Sequence, residues 1–206
     1  MLRHNSLQEI LLLVPVLLIS LTVHEMAHGL AAYALGDNTA KREGRLSLNP
    51  IHHIDWIGFI LLMTVGFGWA KPVPVDPRYF KDPKKSMALT SLAGPFANIL
   101  LAFLGAAVLS FTTDRVRLLS EALALFVQYN CALAMFNLLP IPPLDGSKIV
   151  GAFLPDRLYY RYLFYERYGM IILIILLYTG ILTPLLRNGV NNLIGLIIKA
   201  LALLGL

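Results

Sequence analysis

The sequence predicts an all-α membrane protein: a polytopic bundle of four to five transmembrane helices, with a membrane-dipping segment and a small extended or β element near the cytosolic face. Three observations predict it. Of 206 residues, 57% are hydrophobic and only 14% charged, where soluble domains carry about 25% charged residues. Four runs, 10–36, 86–113, 122–144 and 168–186, reach or approach the roughly 20 apolar residues a span requires. The Lys and Arg residues divide unevenly between the loops, twelve in 37–85 and 145–167 and five elsewhere. The positive-inside rule therefore puts those two loops in the cytosol and the N-terminus outside. The net charge of +5 reports topology in this way and is no signal for nucleic acid.

Taken in order, the first run, 10–36, is too long for the apolar region of a cleaved signal peptide and is expected to remain as a span. The loop after it is polar, and Arg45-Leu46-Ser47-Leu48-Asn49-Pro50 alternates as a short strand would. Positions 56–70 are uncharged, yet as a helix they reach only about 22 Å. With Gly58, Gly66 and Gly68 this stretch is expected to be re-entrant or buried, which is tolerated at membrane depth only against protein or a wet cavity. Pro72, Pro74 and Pro77 then mark 70–77 as an exposed, extended edge, because proline is excluded from central strands. Lys84 and Lys85 anchor the start of the second run. Cys131, inside the third run, has no partner for an internal disulfide and is expected as a small buried hydrophobe. The tail 188–206 forms a fifth helix or lies in the interface. All of 1–206 reads as one membrane domain, with spans 10–36, 86–113 and 122–144 as its core and 37–85 as its re-entrant or β region.

The polarity of the first run is concentrated in His24-Glu25-Met26-Ala27-His28; Tyr33 is the only other ionisable side chain in 10–36. Ionisable groups inside a membrane are costly and mark functional sites. Two His at i and i+4 share a helical face and can share a metal. The Glu between them is placed to act on a metal-bound water. A catalytic zinc site needs a third protein ligand. The end of the third run offers one in Asn137-Leu138-Leu139-Pro140-Ile141-Pro142-Pro143-Leu144-Asp145-Gly146. Its prolines break the helix, Gly146 permits a tight turn, and the positive-inside topology brings Asp145 to the same side as His24 and His28. Asn137 reads either as a hydrogen-bond donor to substrate or oxyanion or as a packing amide. Asn98, with Gly94 one turn before it, reads as helix packing or as a substrate contact. His53 reads as a substrate or oxyanion contact, as a cavity-lining or alternative metal group, or as part of a polar headgroup-level loop. A zinc transporter would line several spans with polar residues, whereas the second and fourth runs are nearly free of ionisable groups. A catalytically dead scaffold would be expected to lose Glu25 or a ligand, and the chain keeps all four residues.

His24-Glu25-Met26-Ala27-His28, followed by Asn137, Pro140, Pro142, Asp145 and Gly146 in this spacing, resembles the site-2 protease family of intramembrane zinc metalloproteases. Ala93-Gly94-Pro95-Phe96-Ala97-Asn98 resembles the family's central core helix. Gly44-Arg45-Leu46-Ser47-Leu48-Asn49-Pro50 and Gly68-Trp69-Ala70-Lys71-Pro72-Val73-Pro74-Val75 resemble its compact bacterial and archaeal branch. The resemblance implies one zinc ion per chain on His24, His28 and Asp145, with Glu25 as the general base. It also implies cleavage of peptide bonds in or near the transmembrane helices of other membrane proteins, often to release membrane-tethered factors. The expected setting is a prokaryotic cell membrane, with the site open to the cytosol. The chain is expected to depart from many members, without a PDZ or CBS segment and without a helix before the one that carries the two His. Substrate, cleavage position and oligomeric state stay open.

Overall fold

The computed structural model describes residues 7–65, 68–112 and 117–206. Helix α1 spans Leu7–Ala34, and the chain leaves it through Gly36, whose φ of 111° is available to glycine at little cost. The short α2, Thr39–Arg42, follows, then a 3₁₀ turn at Pro50–His52 and α3 at Trp56–Val65. A second 3₁₀ turn, Pro77–Tyr79, leads into the long α4, Pro83–Ser110. Helix α4 starts three residues before the second apolar run: Asp82 accepts from Lys85 N at 3.2 Å and Pro83 fills the first helical position. Helices α5 (Arg117–Asn137), α6 (Asp145–Phe153), α7 (Asp156–Tyr178) and α8 (Leu182–Leu203) complete the chain.

Helix α4 is the centre of the bundle and packs on α1, α5 and α6. One apolar cluster joins Ala102 of α4, Val127 and Cys131 of α5, and Ile197 and Leu201 of α8. A second joins Leu139 and Leu144 of the α5–α6 connection to Leu173 of α7 and Leu182 of α8. Cys131 is fully buried, as a small hydrophobe would be. Many large apolar side chains on the outer helix faces are exposed, Phe96, Ile171 and Leu196 among them, as a lipid-facing surface requires. The molecule is a multi-pass membrane protein. Residues Leu11–Ala34 of α1, together with α4 and α5, are long and apolar enough to cross a membrane, and the bent pair α7–α8 makes a fourth span if counted together.

Three expectations change. No strand occurs among the described residues. Residues 45–49 are loop, and 70–76 is extended chain without a ladder partner, because Pro72 and Pro74 have no N–H to give and Lys71 N and Val73 N donate to groups of their own fold instead. The fourth run, 168–186, is not one helix: α7 and α8 meet at 85°. Gly180, at φ 73°, ends the first, and Pro184 sits in the opening turn of the second, where its missing N–H costs nothing. The tail 188–206 belongs mostly to that second helix. Finally, Asp145 is not on an irregular end but opens α6. A Cβ on Gly146 would lie 2.2 Å from Leu138 O, so this glycine serves a close approach of backbones rather than a turn of unusual φ. In the stretch expected to be re-entrant or buried, a Cβ on Gly58 of α3 would lie 2.2 Å from Trp69 O; Gly66 lies outside the described residues.

Candidate metal centre

The last third of α1 carries His24 and His28 on one face, and α6 delivers Asp145 to them. The three ligand atoms form a nearly equilateral triangle. His24 Nε2 and His28 Nε2 are 3.0 Å apart, and Asp145 Oδ2 is 3.3 Å from the first and 3.2 Å from the second. They form the candidate metal-binding group among the described residues, and all three residues are buried.

The remaining ring nitrogens fix how the imidazoles point. His28 Nδ1 lies 2.7 Å from Thr90 O. A carbonyl only accepts, so Nδ1 carries the proton and Nε2 turns a lone pair toward the triangle. Pro95 cannot donate to Ser91 O, so the α4 hydrogen-bond ladder is interrupted just beside Thr90. His24 Nδ1 lies 2.6 Å from Asn98 Oδ1, which orients that ring in the same sense. With both rings in that tautomer, two imidazole lone pairs and a carboxylate oxygen converge on one point. Asp145 Oδ2 is buried without a hydrogen-bond partner. Such an arrangement is unfavourable alone and suits a cation.

The residues fit zinc. With bonds of about 2.0–2.1 Å, a tetrahedral site has ligand–ligand edges of about 3.3 Å. The donor set of two His and one carboxylate is that of a catalytic zinc site, and both His have outer partners. Gly94 keeps the space beside the rings open: a Cβ there would lie 2.4 Å from His28 Nε2 and 2.6 Å from His24 Cε1.

Glu25, also buried, accepts from Val73 N at 2.9 Å through Oε2. The extended segment that supplies this donor is pinned along its length. Lys71 N donates to His53 O at 3.0 Å, Arg45 Nη2 donates to Lys71 O at 2.7 Å, and Asp76 N donates to Asp37 Oδ2 at 2.7 Å.

The other residues singled out in the sequence fall as follows. Asn98 is fully buried and both ends of its amide are engaged, Oδ1 by His24 and Nδ2 by Asn130 and the Ser20 carbonyl. It is placed to orient a ligand rather than to meet a substrate. His53 is buried, with Nε2 2.8 Å from Ser47 O. Burial pushes its pKa below the ordinary histidine value. Ser47 O can only accept, so Nε2 donates to it, and Nδ1 is buried without a hydrogen-bond partner. Asn137, the last residue of α5, donates to Leu133 O at 3.0 Å. Sequence reasoning missed the Thr90 carbonyl, the Val73 N–H and Gly94 as the open space over the rings. Backbone groups carry no sequence signal, although Gly94-Pro95-x-x-Asn98 on an apolar helix was visible.

Fold and site together define a class, the multi-pass membrane zinc metallopeptidases. The chain belongs to peptidase family M50, the site-2 protease family, whose pattern matches residues 112–179. It is 40% identical over 200 residues to the Bacillus subtilis protein named "Putative zinc metalloprotease YwhC", covering 89% of this chain and 90% of that one. It is 30% identical to the Rip2 protein of Mycolicibacterium smegmatis and 34% identical to that of Mycobacterium tuberculosis, both bearing the same zinc metalloprotease designation, and covers 64% and 52% of their lengths. No solved structure matches the chain.

Proposed function

We propose that this chain is an intramembrane zinc endopeptidase that hydrolyses peptide bonds in or near the transmembrane segments of other membrane proteins, in regulated release of membrane-tethered factors. The observation that carries this reading is the triangle of buried ligand atoms one residue from Glu25 in an apolar helix. His24, His28 and Asp145 would hold one zinc ion. When bound, it supplies Lewis acidity, which lowers the pKa of water toward neutrality and polarises a carbonyl. Glu25 takes a proton from water at its carboxylate and passes it to the leaving amine, and Val73 N–H holds that carboxylate in place.

Substrate enters as unwound chain, because a helical peptide bond is shielded by its own hydrogen bonds. Along the extended segment 70–76, Lys71 and Val73 turn their polar groups inward. By the alternation of extended backbone, Pro72 and Pro74 turn theirs outward. Neither has an N–H, so the outer edge presents carbonyl acceptors. An unwound substrate donates its N–H groups to them and keeps its own carbonyls free for attack. The site opens toward the cytosol of a prokaryotic cell, the N-terminus lies outside, and the partners are the bilayer and a transmembrane substrate.

The test is cleavage of a transmembrane substrate in liposomes by the wild type and Glu25→Gln, with zinc measured in both. Equal zinc, at least hundredfold slower cleavage by the variant and inhibition by a chelator are expected. Cleavage surviving in Glu25→Gln overturns the role of Glu25.

A further inference from the structure

We propose that Asn130, which is not one of the three ligands, is a positioning residue for the metal centre: acting through Asn98, it fixes the tautomer and orientation of His24 and so sets zinc affinity. The inference rests on the zinc reading above and deepens it.

Behind His24 a chain of side chains crosses three helices. His24 Nδ1 on α1 meets Asn98 Oδ1 on α4 at 2.6 Å. Asn98 Nδ2 donates to Asn130 Oδ1 on α5 at 2.8 Å and to Ser20 O at 3.3 Å. Asn130 Nδ2 donates to Ser20 Oγ at 2.8 Å and to Phe126 O at 2.8 Å. Ser20 Oγ donates to Val16 O at 2.7 Å, returning the chain to α1. Ser20, Asn98 and Asn130 have no exposed surface.

The direction of this chain is dictated at its far end. Phe126 O, Val16 O and Ser20 O are backbone carbonyls and can only accept. Phe126 O requires the Asn130 amide to turn its NH₂ that way, which leaves Asn130 Oδ1 facing α4. Asn98 must then offer NH₂ to it and its oxygen to His24. His24 Nδ1 in turn must carry the proton, and Nε2 is left as the lone pair in the ligand triangle. Reversing either amide would set donor against donor among fully buried groups, a costly mismatch. The middle of α5 thereby selects the metal-binding tautomer of a histidine it does not touch.

Zinc affinity is measured by competition with a chelating dye, on full-length protein in detergent, for the wild type, Asn130→Leu, Asn98→Ala and the double variant. Asn130→Leu should weaken zinc about tenfold, as loss of outer-shell partners does. In the Asn98→Ala background the same change should cause no further loss, because the path to His24 is already cut. Losses that multiply in the double variant, or an Asn130→Leu protein that binds zinc like the wild type, overturn the proposal. Should Asn130→Leu fail to fold, Ser20→Ala removes one acceptor with little change in packing. It should weaken zinc in the same direction by a smaller factor, and unchanged affinity overturns the proposal equally. Failure of the wild type to bind zinc refutes the metal reading itself, and is distinguishable from all of these.

Discussion

At Gly94 a hydrogen atom where a side chain would be decides the chemistry. Gly94→Ala puts a methyl 2.4 Å from His28 Nε2. The rings or α4 must move, at a cost of about 1–3 kcal/mol for overpacking, and zinc retention measured after dialysis should fall sharply. Asp145→Ala should also empty the site, because two imidazoles alone leave a zinc site one ligand short; full zinc content would remove Asp145 from the ligand set. Val73→Pro deletes the N–H that donates to Glu25, while Pro72 and Pro74 already keep the local backbone extended. Cleavage should drop roughly tenfold, in keeping with a hydrogen bond to a charged group, with zinc content unchanged. At this scale the sequence is informative where polarity is out of place. His24, Glu25 and His28 stand out in an apolar helix, and Asp145 follows from the ligand they lack. Glu25's partner is a main-chain N–H, and no residue type announces that.

Helix ends and segments were legible in proportion to how local their causes are. The break after Asn137 at the prolines is read directly, whereas the opening of α4 at Asp82-Pro83 precedes the apolar run and was not singled out. The apparent span 168–186 is misread, because continuous hydrophobicity outweighs the stop at Gly180 and the start signal at Pro184. Gly180→Ala must place a Cβ at φ 73°, costing about 1–2 kcal/mol, and thermal unfolding in detergent should report it. The extended segment is misread in part for the opposite reason. Its prolines predict an edge, but its inward N–H groups are taken by a side chain and a loop carbonyl, so no ladder forms. Replacing 70–77 by a flexible linker should abolish most cleavage and leave zinc content intact. Unaltered turnover would remove this edge from substrate binding.

For the whole molecule, the uneven distribution of Lys and Arg sets a testable orientation. Glu43 is exposed in the loop after α1, and Cys131, the chain's one cysteine, is buried. A Glu43→Cys protein should react with a membrane-impermeant thiol reagent only when the cytosolic face is accessible, in inverted vesicles and not in intact cells. Labelling of intact cells would reverse the topology. The ligands also lie far apart along the chain, two on the first helix and the third beyond the fifth. A bound ion therefore works as a clasp between the two ends of the sequence, and its affinity adds to the resistance of the bundle against unfolding by mass action. Melting temperature should climb with free zinc and fall on chelation. Two separately made fragments, cut between α3 and α4, should recover metal binding only when they are mixed.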